Sequence, residues 1–239
     1  MAFYSDFAGH YDRIFPFRQG TFDFLDRWLP PEGRILDIGC GTGGYCAALD
    51  RTGRRCLGID LDPGMIAEAE RRHPDGRFQI LGMDEIGLLS RSTYAGIICI
   101  GNVLPHLQAE HLAPFLLNIR DLLVPGGVWI FQTVNFDPIL RSGERFHRFP
   151  VLRIEEGDLA FHRWYEDVEQ DSLIFHTQLT AADKVVFQGE VELAPRISLE
   201  YLMGHEAAGF GRLGHFADYR ESDFDPTVHS GSIFVWRRG

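Results

Sequence analysis

The stretch Ile35-Leu36-Asp37-Ile38-Gly39-Cys40-Gly41-Thr42-Gly43-Gly44 decides the fold of this 239-residue chain. An apolar strand runs into glycines, and a helix is predicted directly after them. Glycine lets the backbone approach a ligand closely because it carries no Cβ. Gly39, Gly41 and Gly44 satisfy G-x-G-x-x-G, which by itself equally indicates a dinucleotide site. The alternative without a ligand is an ordinary tight turn between a strand and a helix.

Outward from the glycines, short apolar strands alternate with helices. Strands are predicted at 34–38, 55–59, 78–81, 95–100 and 128–134, and helices at 44–50, 63–72, 111–123 and 198–208. A closing hairpin at 213–219 and 232–237 brings the count to seven strands. This order predicts an α/β fold with a doubly wound, mostly parallel sheet.

A different pattern occupies the region after Asn135. Strands are predicted at 148–156, 159–169, 173–179 and 185–193, joined by short polar turns. Without helices between them, these strands form an antiparallel meander that cannot continue a parallel sheet. We therefore expect an aromatic-rich helical lid in 1–32, a core in 33–140 and 196–239, and an antiparallel β insertion in 141–195. The insertion would be a cap or, through its exposed edge, a homodimer interface.

The composition of the chain indicates which classes of binding partner are not expected. There are 34 acidic and 23 basic residues, a net charge of −11, so general binding to nucleic acid is not expected. No apolar run approaches the roughly 20 residues of a membrane span, and Met1–Phe7 does not resemble a signal peptide. The four cysteines lack C-x-x-C spacing, so no metal site is expected and buried thiols in a cytoplasmic protein are predicted.

Carboxylates follow the second and third predicted strands. Asp60 lies about twenty residues after the glycines, where a carboxylate can accept the ribose hydroxyls of an adenosine. Asp62 suits a helix N-cap better, which would leave Asp60 for a ligand. Asp84 can accept the adenine amine, with Leu61 and Met83 on either side of the ring. Capping of the next short helix is the alternative role for Asp84.

The segment from Asp37 to Gly43 resembles motif I of class I S-adenosylmethionine-dependent methyltransferases, and Gly58 to Met65 resembles their post-I segment. Further landmarks match in order: Met83-Asp84, 95–100, Leu122 to Gly127 and Ala208-Gly209-Phe210. The resemblance covers about residues 33–135 and 196–237. It implies a Rossmann-like methyltransferase fold and S-adenosylmethionine as methyl donor, with S-adenosylhomocysteine as product.

The resemblance also implies roles for particular residues. Asp37, Gly39, Cys40 and Gly41 would lie at the methionine part of the cofactor, and Asp60 at the ribose. Asp84 would take the adenine amine. In related enzymes the N-terminal aromatic stretch folds over the cofactor, so that Tyr11 and Arg18 can reach the methionine carboxylate.

The segment Cys99 to Leu107 follows the fourth strand and resembles the corresponding part of glycine and sarcosine N-methyltransferases. By that likeness Ile100 and His106 would contact the cofactor, and Asn102 would face the substrate. The residues Val103-Leu104-Pro105 differ from the corresponding residues of those enzymes, so the substrate need not be the same. His106 is the candidate general base, with Tyr4, His10 and Tyr11 as alternatives, and a packing role is the other reading of His106.

The insertion adds cationic and aromatic side chains. Guanidinium groups suit a substrate carboxylate, and aromatic faces suit a cationic amine. Arg148 and Tyr165 are the substrate candidates, and a solvated strand face is the alternative for most of these residues: Arg141, Arg145, His147, Arg148, Arg153, Arg163, Trp164 and Tyr165.

These features predict a methyltransferase that acts on a small molecule. N-methylation of an amino-acid-like amine is the favoured reaction. Positioning of donor and acceptor can supply much of the acceleration, so no catalytic triad is required. A small-molecule O-methyltransferase is the alternative. A non-catalytic S-adenosylmethionine-binding protein and an NAD-dependent dehydrogenase are further alternatives, and the dehydrogenase would need a second mononucleotide-binding half.

Overall fold

The computed structural model describes residues 8–154, 158–182 and 184–239. The helices are α1 (Ala8–Ile14), α2 (Gln19–Trp28), α3 (Gly44–Asp50), α4 (Pro63–Arg72), α5 (Leu112–Leu122), α6 (Asp137–Ser142) and α7 (Ser198–Ala207). The strands are β1 (Arg34–Ile38), β2 (Arg55–Asp60), β3 (Phe78–Ile80), β4 (Tyr94–Cys99), β5 (Leu123–Val134), β6 (His147–Arg148), β7 (Leu152–Ile154), β8 (Leu159–Glu166), β9 (Leu173–Ala181), β10 (Lys184–Leu193), β11 (Phe210–Phe216) and β12 (Gly231–Arg238).

The central sheet has seven strands in the order β11-β12-β5-β4-β1-β2-β3. The strands from β5 to β3 pair in parallel, whereas β12 runs antiparallel to both β11 and β5. This confirms the predicted doubly wound, mostly parallel Rossmann-like sheet. The chain order reverses between β1 and β4, and ligands of open α/β sheets bind at the carboxyl ends of the strands near such a point.

Two apolar layers cover the sheet, because successive strand residues point to opposite faces. Ile97 packs with α5 and α7 on one face. Ile98 packs with Phe24 and Leu25 of α2 and with Leu49 of α3 on the other. The burial of both faces explains the isoleucine-rich sequence of β4.

The second sheet is antiparallel, with the order β10-β9-β8-β6 and with β7 also paired to β8. We call residues 147–193 the cap. The predicted single strand 148–156 is wrong in one respect: β6 and β7 are separate, and Pro150 lies between them. Proline has no N–H to donate to a ladder, which explains the interruption. Positions 155 and 156 lie outside the described residues.

Two other predicted boundaries differ. The N-terminal helical region is divided at Pro16 into α1 and α2, and residues 3–7 lie outside the described part of the chain. Residues 125–127, which precede the predicted strand 128–134, lie within β5 as an irregularity, since Leu123 pairs with Tyr94 and Val128 pairs with Gly96. Among the described helices, none is long and apolar enough to cross a membrane.

The cap contacts the rest of the molecule at two places. Ile14 of α1 packs with Leu159, Phe161 and Leu179 on the cap. At the other place Phe136, just before α6, packs against the Tyr165 ring with centroids 5.8 Å apart. Phe161 and Tyr165 lie on the same face of β8, which we call its inner face. This face therefore contacts the N-terminal lid at one end and the residues just after β5 at the other.

Candidate active site

The glycine loop between β1 and α3 has little room for side chains. Gly39 and Gly41 have φ values of 71° and 53°, in the region that favours glycine. A Cβ on Gly39 would lie 2.6 Å from the methyl carbons of Val103, and one on Gly41 would lie 3.3 Å from the Tyr11 ring. The loop is thus closely enclosed by the segment after β4 and by the lid.

Asp37, at the end of β1, is buried beneath this loop. Its Oδ2 lies 3.6 Å from the Cys46 thiol, and its Oδ1 has no hydrogen-bond partner among the residues that the structure describes. Burial raises the pKa of Asp37 to about 7, the Cys46 bond lowers it, and the Asp60 charge raises it further. An unpaired buried carboxylate oxygen of this kind suits a cationic group such as the ammonium of a bound amino acid moiety.

Asp60 ends β2, and its carboxylate accepts hydrogen bonds from the backbone N–H groups of Gly41, Leu61 and Asp62. Its Oδ2 accepts from the Gly41 N–H and its Oδ1 from the Asp62 N–H, both at 2.9 Å. Asp60 is therefore not free of protein contacts, as the sequence suggested it would be. Asp62 caps α4 as predicted, accepting from the N–H groups of Gly64 and Met65 at 2.8 and 3.2 Å.

Asp84, the residue predicted to bind the adenine amine, lies just after β3. Leu61 is 67% exposed, and Leu61 and Asp84 both approach Gly82. The capping alternative for Asp84 is not observed, because Glu85 accepts from the Gly82 N–H at 3.1 Å. Met83 is partly buried against the core. Asp84 is exposed beside Leu61, at the edge of the sheet where an adenine ring would have to lie.

The loop after β4 contains the predicted substrate residue Asn102, whose φ is 63°. Its Oδ1 accepts from the Val134 N–H at 2.8 Å and from the Thr133 hydroxyl at 3.0 Å. The Asn102 side chain also hydrogen-bonds the Tyr165 hydroxyl, while burial raises the pKa of Tyr165. The fold thus brings together two residues that lie 63 positions apart.

His106 lies in a short 3-10 turn, Leu104–His106. Burial lowers its pKa to about 4, so its imidazole is neutral near pH 7. A neutral imidazole can accept a proton, but one with this pKa is a weak base. Ile100, just before this loop, is partly buried against the α2–α3 face of the sheet.

Arg148 lies on the side of the cap opposite Tyr165. It is exposed over the rings of Phe146 and Trp164, at 5.8 and 5.9 Å. In the β6–β8 pairing, His147 opposes Tyr165 and Arg148 opposes Trp164. Since strand side chains alternate, Arg148 and Tyr165 project from different faces.

The lid lies against the glycine loop. The Tyr11 ring packs on Gly41, and its pKa is raised by burial and then by Asp60 and Asp12. Asp12 accepts a hydrogen bond from the Thr42 hydroxyl and pairs with Arg72 at 2.6 Å. The sequence reasoning missed this link, although Asp12 directly follows Tyr11 and Thr42 lies within motif I.

Arg18 and His10, the other candidate residues of the lid, make different contacts. Arg18 is exposed, and its backbone N–H donates to the Tyr45 hydroxyl at 3.3 Å. His10 Nδ1 lies 3.4 Å from Arg13. Tyr4 lies outside the described residues.

Part of the chain is similar to known proteins. Residues 35–127 match a family described as a methyltransferase domain. Glycine N-methyltransferase of Mus musculus is 31% identical over 127 residues, which cover 46% of this chain and 43% of that protein. An O-methyltransferase of ubiquinone biosynthesis from Nitrobacter winogradskyi is 26% identical over 195 residues, covering 74% and 69%.

The solved structures extend the likeness to the whole fold. An S-adenosylmethionine-dependent methyltransferase from Clostridium acetobutylicum superposes with a TM-score of 0.79 at 17% identity, covering 99% of both chains. The aligned part of the present chain spans about half the length of the first curated relatives.

Proposed function

We propose that this protein, whose residues 35–127 match a family described as a methyltransferase domain, uses S-adenosylmethionine to methylate a small molecule. The observation that supports this most strongly is the arrangement around Gly41. A buried carboxylate oxygen of Asp37 lies below the loop, and Asp60 is fixed beside it by the Gly41 N–H. Both acids end adjacent parallel strands, where such sheets bind ligands.

The residues present fit the cofactor. Asp37 would face the ammonium group and Asp60 the ribose. Gly39, Cys40 and Gly41 would lie along the methionine chain, with Tyr11 above them. The remaining cofactor candidates are Arg18 at the methionine carboxylate, Leu61, Met83 and Asp84 at the adenine, and Ile100 and His106 beside the reacting end. When bound, S-adenosylmethionine supplies a methyl group already activated by its positive sulfur.

The protein's own contribution is to position the acceptor and exclude water. The lid, the Asn102 loop and the inner face of the cap converge at the carboxyl ends of β1 and β4, where an acceptor would be enclosed. Alignment of this kind can contribute roughly 7–11 kcal/mol to a reaction barrier. His106 contributes a neutral imidazole, and its low pKa favours an acceptor that arrives already deprotonated.

We propose nitrogen as the methylated atom and an amino-acid-like amine as the acceptor. The support is the likeness of Gly101-Asn102 and His106-Leu107 to glycine and sarcosine N-methyltransferases, together with the enclosed Asn102–Tyr165 pair. An O-methyltransferase is the second candidate, since the relatives include enzymes that methylate oxygen. A dehydrogenase is disfavoured, because a reversed hairpin and an antiparallel cap follow β5 where a second nucleotide-binding half would be required.

The test is binding of S-adenosylhomocysteine, followed by thermal unfolding and calorimetry. A saturating ligand at 100 times its Kd stabilises the folded state by about 2.7 kcal/mol. We expect Asp60→Asn to lose most of this gain and Asp62→Asn, which changes a helix cap, to retain it. No binding of S-adenosylhomocysteine, or a response to NADH instead, would contradict the proposal.

We also propose that the cap can join two copies of the chain. Val185 and Val186 on the edge strand β10 are 55% and 53% exposed. Light scattering on the purified protein tests this: a dimer that Val186→Lys converts to a monomer supports it, and a monomeric wild type contradicts it.

A further inference from the structure

Arg163 of the cap lies on the face of β8 that contacts the lid and the Asn102 loop. In β8, Phe161, Arg163 and Tyr165 alternate with Trp164 and so project from the same face. Phe161 contacts the lid through Phe15, with ring centroids 5.6 Å apart. Since residues i and i+2 of a strand are about 7 Å apart, Arg163 lies between the lid contact and the Asn102–Tyr165 contact.

The Arg163 guanidinium lacks hydrogen-bond partners for some of its N–H groups among the described residues. It is partly buried, and its Nε has no hydrogen-bond partner in the described part of the chain. One Nη lies 3.4 Å from the Pro150 carbonyl, a long contact, and the guanidinium carbon lies 5.3 Å from the Phe149 ring centre. The Phe149 ring in turn packs edge-on against Tyr165, which holds the guanidinium in place.

No described carboxylate forms an ion pair with Arg163, although acidic residues are abundant in the cap. Arg145, by contrast, pairs with both Asp167 and Glu169, at 3.0 and 3.1 Å. A partly desolvated guanidinium without an anion is unfavourable, so an anionic partner supplied from outside the chain would stabilise it. Burial also lowers the pKa of Arg163, which is consistent with this loss of solvation.

We propose that Arg163 binds the carboxylate of the methyl acceptor, an inference that rests on the proposed methyl-transfer function. The planar fork of a guanidinium matches a carboxylate in two parallel hydrogen bonds. A carboxylate held there would place the rest of a small acceptor between Tyr165 and the glycine loop. The acceptor is therefore an amino acid or another small acid, and Arg163 determines that specificity.

The experiment measures the affinity of acetate for the protein, with and without saturating S-adenosylhomocysteine and at constant ionic strength. Acetamide, which has the same shape and no charge, is the matched ligand. We expect acetate to stabilise the protein and acetamide not to. Loss of a charge-assisted hydrogen bond predicts that Arg163→Gln binds acetate about tenfold to a hundredfold more weakly. Arg163→Lys, which keeps the charge but not the fork, should lie between.

Arg148→Gln is the control variant, because Arg148 belongs to the same sheet but projects from the opposite face. It should bind acetate like the wild type, and all three variants should retain the thermal shift with S-adenosylhomocysteine. Equal acetate affinity in wild type and Arg163→Gln, no acetate binding by the wild type, or equal binding of acetamide would overturn the proposal. If S-adenosylhomocysteine does not raise the melting temperature of the wild type, the proposed methyltransferase function is contradicted. In that case the comparison of acetate binding between wild type and Arg163→Gln without S-adenosylhomocysteine still tests the role of Arg163.

Discussion

Among the individual residues, Asp37 has the most unusual environment for a charged group. Its carboxyl is buried, and its pKa is raised to about 7 from an ordinary value near 3.8. Between these two pH values the folded protein holds a proton that the unfolded chain has released. The contribution of Asp37 to stability therefore decreases as the pH rises from about 4 to 7. The folded protein therefore loses some stability at neutral pH through Asp37, which is expected if the ionised carboxylate is needed for ligand binding.

Asp37→Asn should consequently stabilise the unliganded protein at pH 8 by up to a few kcal/mol, because a neutral amide avoids the buried charge. The stabilisation should be smaller at pH 5, where Asp37 itself is largely protonated. Urea unfolding of both proteins at the two pH values measures the difference.

The same substitution should weaken binding of S-adenosylhomocysteine at pH 8, because it removes the negative charge that would face the ligand's ammonium in the proposed site. Calorimetry at pH 8 gives this affinity. A stability difference that does not change with pH, or an unchanged affinity, would show that Asp37 is a structural residue only.

The positions of several candidate-site residues could be predicted from the sequence because they depend on local spacing. The glycines and Asp60 follow strands that the apolar pattern indicates, and Asp62 caps a helix that begins at Pro63. The link between Asp12 and Thr42 could not be predicted in this way. It depends on how the lid folds back onto the loop, 30 residues along the chain.

At the scale of secondary-structure elements, the alternation of strands and helices determines the central sheet, and this prediction is confirmed. The faces of the cap strands could not be derived from the sequence. Arg148 and Arg163 occur in similar polar and aromatic surroundings, and a shift of one residue in strand pairing exchanges the two faces of a strand. Only the observed pairing, with His147 opposite Tyr165, distinguishes the exposed arginine from the inner one.

Asp12 connects the short helix α1 to Thr42 of the glycine loop and to Arg72 of α4. Asp12→Asn removes the charge from both contacts and should loosen Tyr11 from Gly41. We expect the affinity for S-adenosylhomocysteine to fall by about tenfold, the equivalent of one hydrogen bond to a charged group. Calorimetry measures this directly.

Asp23→Asn is the matched control for this prediction. Asp23 is exposed on α2 and accepts from the Gln19 side chain at 2.7 Å, away from the loop. It should leave the affinity unchanged. Equal affinities for wild type and Asp12→Asn would show that the lid does not contribute to the cofactor site.

For the whole molecule, the lid connects the two sheets. Tyr11 packs on the glycine loop of the central sheet, and Phe15, one helical turn later, packs on Phe161 of the cap. A ligand that fixes Tyr11 should therefore also order β8, although the ligand need not touch that strand. Coupling through packed side chains of this kind requires a test in which the intermediate contact is removed.

Hydrogen exchange provides that test. In the wild type, S-adenosylhomocysteine at 100 times its Kd should slow exchange of the β8 amides by up to about a hundredfold, the equivalent of 2.7 kcal/mol. In Phe15→Ala the ligand should still slow exchange in the glycine loop but no longer in β8. Phe17→Ala, which loses contacts to Phe22 and Tyr45 instead, should behave like the wild type. If β8 is protected equally in both variants, the cap senses the cofactor by another route, of which the Asn102–Tyr165 hydrogen bond would be the first to examine.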